Sequence, residues 1–369
     1  VAETKYNKVK EWIRTRIIEN TYRPNQKINS ESELMKQFGV SRHTVRIAIG
    51  ELVNEGWLYT EQGAGTFCAD RSSRSASHQH EQKKIAIITT YISDYIFPSI
   101  IRGAEAELSK EGYHVTLFST NNSYDKEKKI LETIISQKFD GAIIEPTQSA
   151  SANPNINYYL NLDVLGIPYL MINAFYEELE PVHVVMDDEK GGYLQTKHLL
   201  ELGHSHIAGF FKTDDRQGVK RMKGFIKAFR EKNMVVEPKN IVTYSTTGKD
   251  SKPADYFRNV WEASSEKPTA VVCYNDELAI RLLHVIREKK LSIPDHISIV
   301  GYDNSFLAEV SEVKLTTIEH PKSELGKMAA QMIVKMVTKG RSWNIKPYVF
   351  EPKLILREST MPPLMTTKG

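Results

Sequence analysis

Beyond Lys84 the chain repeats one pattern seven times: a short apolar run followed by a stretch of helical periodicity. The runs fall at 85–90, 113–118, 141–145, 169–173, 207–211, 270–274 and 297–301. Strands that are apolar throughout, without alternation, are covered on both faces. Helices of 10–15 residues between them signal βαβ units around a parallel sheet. The helical stretches keep the 3.6-residue period: Ile101, Ala104 and Leu108 form one stripe, Ile130, Ile134 and Ile135 a second, and Leu194, His198 and Leu202 a third. About 280 residues is generous for one such sheet, so the stretch is expected to divide into two α/β lobes, roughly 85–360.

At 369 residues the whole chain has room for two or three domains. It contains no run of 18 apolar residues, so nothing in it is expected to span a membrane. The opening VAETKYNKVKEW is charged and amphipathic, unlike a basic stretch leading into an apolar export core. Cys68 and Cys273 are too few for a disulfide framework and fit a reducing cytoplasm. Residues 71–83, RSSRSASHQHEQK, hold no large apolar side chain and are expected to be a mobile linker. His78 and His80 within it have no Cys or carboxylate cluster beside them, so they read as solvated residues rather than metal ligands. The expected division is therefore 1–70, a linker at 71–83, and 84–369.

A net charge of +3 says little about partners, because the position of charge matters more than its sum. Residues 1–70 carry ten Lys/Arg and nine Asp/Glu, yet Arg42, His43 and Arg46 sit in an acid-free stretch, 41–50. The pattern around them is informative. A first helix is expected at 5–19, with Tyr6, Val9, Ile13 and Ile17 on one face. Ser30 and Glu33 form a capping box that starts a short helix, and Gly39 closes it where a left-handed residue is wanted. Ser41 then caps a third helix whose Val45, Ala48, Ile49 and Leu52 face inward. Helix, tight turn and helix is the helix-turn-helix arrangement, and it presents Arg42, His43, Thr44 and Arg46 outward. Arginine can bond a guanine edge with two donors, while Thr44 and the first helical N–H groups suit phosphate. A plain solvated helix face is the alternative, though such a face ordinarily mixes acids among its bases. Two strand patterns flanking Gln62, Gly63, Ala64 and Gly65 then predict a glycine-tipped hairpin, placed where a wing follows a recognition helix.

The run from Tyr6 through Phe67 resembles the GntR family of winged-helix regulators. The likeness is carried by Arg23-Pro24, Ser30-Glu31-x-Glu33-Leu34, Phe38-Gly39-Val40-Ser41-Arg42-x-Thr44-Val45-Arg46, Ala48, Leu52, Glu55-Gly56 and Gly63-x-Gly65-Thr66-Phe67. Asn29 departs from it, standing where the family usually has proline. The resemblance implies a winged helix-turn-helix that contacts double-stranded operator DNA. The expected DNA-facing set is Lys5, Glu31, Arg42, His43, Thr44, Arg46, Gln62, Gly63, Gly65 and Thr66.

In the larger part no phosphate loop, G-x-G-x-x-G after the first strand, G-x-S-x-G or HExxH is present. His198 and His204 lack metal-ligand partners at useful spacing and read as core or capping histidines. No metal or cofactor is expected. An enzyme with an appended DNA-binding module stays open as a different class, without a motif to support it. Polar residues do gather just past the carboxyl ends of expected strands, where open α/β sheets bind ligands. They are Tyr91, Asp94 and Tyr95; Glu145; Asn173 and Phe175; Lys212, Asp214, Arg216 and Arg221; Asn275 and Asp276; and Asp303. Carboxylates accept from hydroxyls, arginine donates to them, and aromatic faces stack on sugar C–H faces, so the set suits a small polyhydroxy ligand.

This part resembles the periplasmic-binding-protein-like sensor of the LacI family, over roughly 84–357. The matching segments are VMDDEKGGY at 185–193, LGH at 202–204, RMKGF at 221–225, CYND at 273–276, Ile293-Pro294, IVGYD at 299–303 and LTTI at 315–318. That implies a two-lobed α/β fold of type I, with effector contacts from Arg221, Asn275 and Asp303. The full expected ligand set is Tyr91, Tyr95, Glu145, Asn173, Phe175, Arg216, Arg221, Asn275, Asp303 and His320. The LacI-type DNA-binding segment and hinge helix are absent, replaced by the GntR-like domain and the polar linker. A fusion of this kind is similar to the arabinose-responsive repressor family. The likeness implies a repressor of sugar-utilisation genes released from DNA by L-arabinose, and a homodimer is expected because helix-turn-helix dimers read two half-sites. Another pentose, a hexose or a nucleoside is the alternative that residue chemistry alone leaves open.

Overall fold

A computed structural model describes residues 4–61, 63–70, 83–261, 266–339 and 345–364. The expected linker, but for Lys83, and Gln62 at the hairpin tip lie outside the described residues.

The N-terminal part opens with α1 (Lys5–Ile18), α2 (Glu31–Phe38) and α3 (Arg42–Asn54), followed by the antiparallel strands β1 (Leu58–Glu61) and β2 (Gly65–Cys68). The capping box is present in full: Glu33 N–H donates to Ser30 Oγ, and Ser30 N–H donates to the Glu33 carboxylate at 2.7 Å. Gly39 has φ +61°, the left-handed value that lets α2 stop and Ser41 cap α3 two residues later. Ser41 Oγ accepts from Thr44 N–H at the start of α3. Val45, Ala48, Ile49 and Leu52 point into a core shared with Val9, Ile13 and Ile17. Glu51 near the end of α3 and Glu55 just past it are turned toward α1, where Lys10 reaches both at 2.6 Å. That arrangement keeps Glu51 and Glu55 away from the basic start of α3, which Glu31 of α2 faces instead.

The first sheet of the larger part contains β3 (Lys84–Thr89), β4 (His114–Ser119), β5 (Gly141–Ile144), β6 (Tyr169–Ile172) and β7 (His183–Met186). The second contains β8 (Ile207–Lys212), β9 (Ile241–Tyr244), β10 (Ala270–Cys273), β11 (Ser298–Asp303) and β12 (Thr316–Glu319). The chain then returns: β13 (Tyr348–Phe350) joins the first sheet and β14 (Lys353–Ile355) the second. The orders are β13-β7-β6-β5-β3-β4 and β14-β12-β11-β10-β8-β9, six strands each, parallel except for β14. Helices α4 (Phe97–Lys110), α5 (Tyr124–Ser136) and α6 (Ile156–Val164) flank the first sheet. Helices α7 (Asp188–Glu201), α8 (Arg216–Glu231), α9 (Lys252–Asp255), α10 (Asp276–Glu288) and α11 (Phe306–Val310) go with the second, and α12 (Lys322–Lys339) packs back on α4. All seven expected strand runs are strands, and the two-lobed α/β architecture holds.

The stripe expected on α7 is shifted. Its buried face is Gly191, Gly192, Gln195, Thr196 and Leu199, while Leu194, His198 and Leu202 are only partly covered. Polar residues line this face because it meets strand ends. Gln195 Nε2 donates to the carbonyls of Cys273 (3.1 Å) and Gly301 (2.6 Å), tying β10 to β11. The last described residues are tied to the second lobe. Met361 N–H donates to Ser298 Oγ, the Met361 carbonyl lies 2.9 Å from His204 Nε2, and Thr360 lies 3.0 Å from His198 Nε2. Both histidines thus serve the fold. Among the described residues no helix is long and apolar enough to cross a membrane.

Candidate functional site

On the winged helix, Arg42, His43 and Arg46 are exposed at the start of α3, with Thr44 partly covered. Glu31, at the start of α2, reaches across to both arginines: its carboxylate lies 3.0 Å from Arg46 Nε and 3.5 Å from Arg42 Nε. The acid therefore orients two cations that would otherwise be free to rotate. In the wing, Gly63 has φ +81° and Gly65 φ +122°, values an L side chain rarely adopts. Lys27 lies over Gly65; a Cβ there would sit 2.6 Å from Lys27 Cε, and that flexible side chain would have to swing aside. Thr66 follows on β2, and Lys5 is exposed at the first turn of α1. Glu31 thus lies beside the two arginines expected to face DNA.

Between the two lobes lies a cleft of about 480 Å³. It is lined by Tyr91, Tyr95, Glu145, Asn173, Arg221, Asn275 and Asp303 from the expected set. Phe175 and Arg216 border a smaller recess on the far side of Asn173. Phe175 stacks on His183 with ring centroids 3.8 Å apart, and Arg216 pairs with Glu177 at 3.0 Å. His320 is 2% exposed and is not among the residues lining the cleft, and both its ring nitrogens lack a hydrogen-bond partner.

Arg221 organises the floor. Its guanidinium is buried, donates to Asp188 Oδ1 at 2.9 Å and to the Tyr274 carbonyl at 2.7 Å, and lies 3.5 Å from the Tyr302 ring centroid. Asp303 Oδ1 stands 3.8 Å from Arg221 Nη2, too far for a hydrogen bond, and has no other partner. Burial pushes the Asp303 and Asp188 carboxyls up, and Arg221 pulls both back. On the opposite wall Glu145 accepts from Thr90 N–H (2.7 Å), Thr90 Oγ1 (2.6 Å) and Asn173 Nδ2 (3.0 Å). Asn173 Oδ1 is left buried without a donor. A buried acceptor without a partner costs stability, so Asn173 and Asp303 mark places where a ligand's hydroxyls would be favoured.

Several lining residues were not in the expected set. Lys212 pairs with Asp215 at 2.9 Å. Burial would lower its pKa, but Asp215 and Asp214 outweigh it and raise the ammonium to about 12. Tyr274 donates to Asp215 at 2.7 Å. Gln148 and Ser149 reach the cleft from the loop after β5. Lys212 was already among the polar residues noted past strand ends, and Tyr274 holds the same kind of position; nothing in the sequence distinguishes Gln148 and Ser149 from any polar loop. Tyr95 belongs to the lining yet spends its hydroxyl between lobes, donating to the Tyr302 carbonyl (3.0 Å) and accepting from Asp276 N–H (3.1 Å). Its role in the structure is to latch one lobe to the other.

His320 gives a pH prediction. Burial, followed by the nearby Lys322 and Arg221 charges, lowers its pKa from 6.5 to about 3. The unfolded chain takes up a proton below pH 6.5 that the folded chain refuses. His320 therefore costs nothing above that pH and destabilises the fold progressively as pH falls toward 3. Between pH 6.5 and about pH 5.5 the wild type is expected to lose about 1 kcal/mol more than His320→Asn. Urea midpoints of both proteins across that range measure it, and parallel pH profiles would contradict it.

Comparison with known proteins agrees with this geometry. Residues 5–68 match the bacterial regulatory proteins of the gntR family, and residues 196–360 match a periplasmic binding protein-like domain. An arabinose metabolism transcriptional repressor of Halalkalibacterium halodurans is 57% identical over 97% of each chain. One of Geobacillus stearothermophilus is 51% identical over 96% of this chain and 97% of that one. The crystal structure of a LacI family regulator from Enterococcus faecium, with bound ribose, superposes with a TM-score of 0.64 at 27% identity, covering 76% of this chain and 99% of that one. With near-complete coverage at more than half identity, a gntR-type DNA-binding domain and a periplasmic-binding-protein-like domain behind it, the chain belongs to the family of arabinose metabolism transcriptional repressors.

Proposed function

We propose that this repressor holds operator DNA through residues 1–70 and releases it when the cleft of residues 84–369 takes up L-arabinose. The observation that carries the sugar reading is the pairing of two under-bonded buried acceptors, Asp303 and Asn173, with Arg221 and Glu145 across one interlobe cleft. A pentose offers hydroxyls that donate to those acceptors and accept from arginine, and Tyr91 offers an aromatic surface. The names of the related repressors support arabinose over other sugars.

The residues assigned to DNA are Lys5, Glu31, Arg42, His43, Thr44, Arg46, Gln62, Gly63, Gly65 and Thr66. Those assigned to sugar are Tyr91, Tyr95, Glu145, Asn173, Arg221, Asn275 and Asp303, with Phe175, Arg216 and His320 in support. The protein acts in the cytoplasm as a homodimer, because helix-turn-helix proteins read two half-sites with two copies. A monomeric mass at working concentration, with and without DNA, would contradict that. Calorimetric titration of the full chain against L-arabinose and a panel of pentoses, hexoses and nucleosides tests the ligand. One-to-one binding of L-arabinose with unchanged sugar recovered supports the reading. Preference for another member of the panel would replace the ligand, and turnover would replace the class.

A further inference from the structure

The first lobe contains a buried carboxylate that no cleft contact explains. Glu127, on α5, is fully buried, and its two oxygens face four neutral donors. Oε1 lies 2.8 Å from the Tyr159 hydroxyl and 2.9 Å from the Tyr176 hydroxyl; Oε2 accepts from the side-chain amides of Asn153 and Asn155, each at 2.9 Å. Both asparagines lie at the end of the loop that runs from β5 to α6. At its start, the Thr147 carbonyl lies 2.8 Å from the same Tyr176 hydroxyl, whose one proton is shared between that carbonyl and Glu127. One carboxylate thus gathers both ends of a single loop, and satisfied buried networks of this kind select one conformation.

The middle of that loop touches the opposite lobe. Ser149 Oγ accepts from the backbone N–H of Arg216 at 3.0 Å. Arg216 is the first residue of α8, the helix that carries Arg221, so one of that helix's unpaired first-turn donors is capped from the other lobe. Gln148, held in the left-handed region at φ +42°, is clamped by Asn122 through both its N–H (2.9 Å) and its side-chain amide (3.0 Å). Asn122 in turn donates to Thr246 of the second lobe at 3.0 Å.

We propose that Glu127 is a positioning residue for the effector response, fixing the loop through which the first lobe caps α8 and closes on the second. It touches neither sugar nor DNA; it sets the geometry of Ser149 and Gln148, and through them the closed arrangement that binds sugar. The inference rests on the effector reading given above.

The test uses the full chain, with L-arabinose as the probe. Glu127→Gln keeps the network connected, because its oxygen can accept from both asparagines while its amide donates to the tyrosine hydroxyls. It should bind sugar within about threefold of wild type. Glu127→Leu removes the shared acceptor, stranding the Tyr159 hydroxyl and the Asn153 amide, and should raise the sugar Kd at least tenfold, with sugar-free operator affinity within twofold. Tyr176→Phe, which keeps the shape and removes only the hydroxyl, stands in should the leucine variant fail to fold, and a severalfold rise is expected. In a Ser149→Ala background the Tyr176→Phe effect should largely vanish, whereas full additivity would overturn the assignment. Amide hydrogen exchange without sugar gives a second readout: residues 147–155 should exchange at least tenfold faster in Tyr176→Phe, with β3 and β5 unchanged. Unaltered exchange would overturn the proposal. Failure of the wild type to bind L-arabinose would overturn the effector reading alone, and the exchange result would still decide what Glu127 does.

Discussion

Arg221→Ala is expected to abolish the sugar response while the protein still binds its operator. Arg221 is the cation of the cleft floor, with two donors already committed to Asp188 and the Tyr274 carbonyl. Nη2 faces Asp303 across 3.8 Å. Losing charge-assisted bonds to a ligand hydroxyl costs about 1.5–3 kcal/mol, roughly a 10- to 150-fold rise in Kd. The substitution also strands Asp188, whose carboxyl is buried and already pushed up; without its arginine it is expected to become neutral. Breaking a buried pair costs about 3–5 kcal/mol, so a marked fall in Tm accompanies the functional loss. Arg221→Met combined with Asp188→Asn removes the stranded charge and separates the two effects. Calorimetry should show the sugar affinity lost in both proteins and much of the stability regained in the second. Retained sugar binding in either would remove Arg221 from the site.

The complementary experiment is Arg46→Ala. Arg46 is exposed on the recognition helix and held by Glu31, and it makes no contact with the cleft. Operator affinity should fall by about 1–3 kcal/mol, roughly 5- to 150-fold, with the sugar isotherm unchanged. If Arg46 meets a phosphate, the slope of log affinity against log salt falls by about one and all sequences weaken together; if it meets a base, specificity relaxes at one position. Glu31→Gln should weaken binding less, because the arginines keep their charge and lose only their orientation. An Arg46→Ala protein with altered sugar affinity would contradict the division of labour between the two parts.

Most of the fold was legible because its signals are local. Ser30, Glu33 and Gly39 announce the boundaries of α2 by chemistry that does not depend on the rest of the chain. The apolar runs of β3, β5, β6, β8, β10 and β11 are apolar because both faces are covered. Strands β9, β13 and β14 were not legible: β13 and β14 sit at sheet edges, only three residues long, and β9 is half-exposed at the other edge of the second sheet. Strand β12 hid for a different reason. Its Thr316 and Thr317 look like surface residues, yet both are fully buried, Thr317 donating to Asp276 at 2.7 Å. The cleft was legible to the extent that strand ends place side chains. Asn173, Asn275 and Asp303 fell where the topology demands. Ser149, Gln148 and Glu127 did not, because their roles come from contacts between segments far apart in sequence.

The central claim is that sugar in the cleft lowers affinity for DNA. The most direct test is operator binding by the full chain, followed by fluorescence anisotropy while L-arabinose is titrated in. Coupling energies in allosteric proteins are about 1–3 kcal/mol, so saturation should weaken operator binding about 5- to 150-fold. Arg221→Ala should stay bound throughout. Operator binding that is tight and indifferent to saturating L-arabinose would contradict the account.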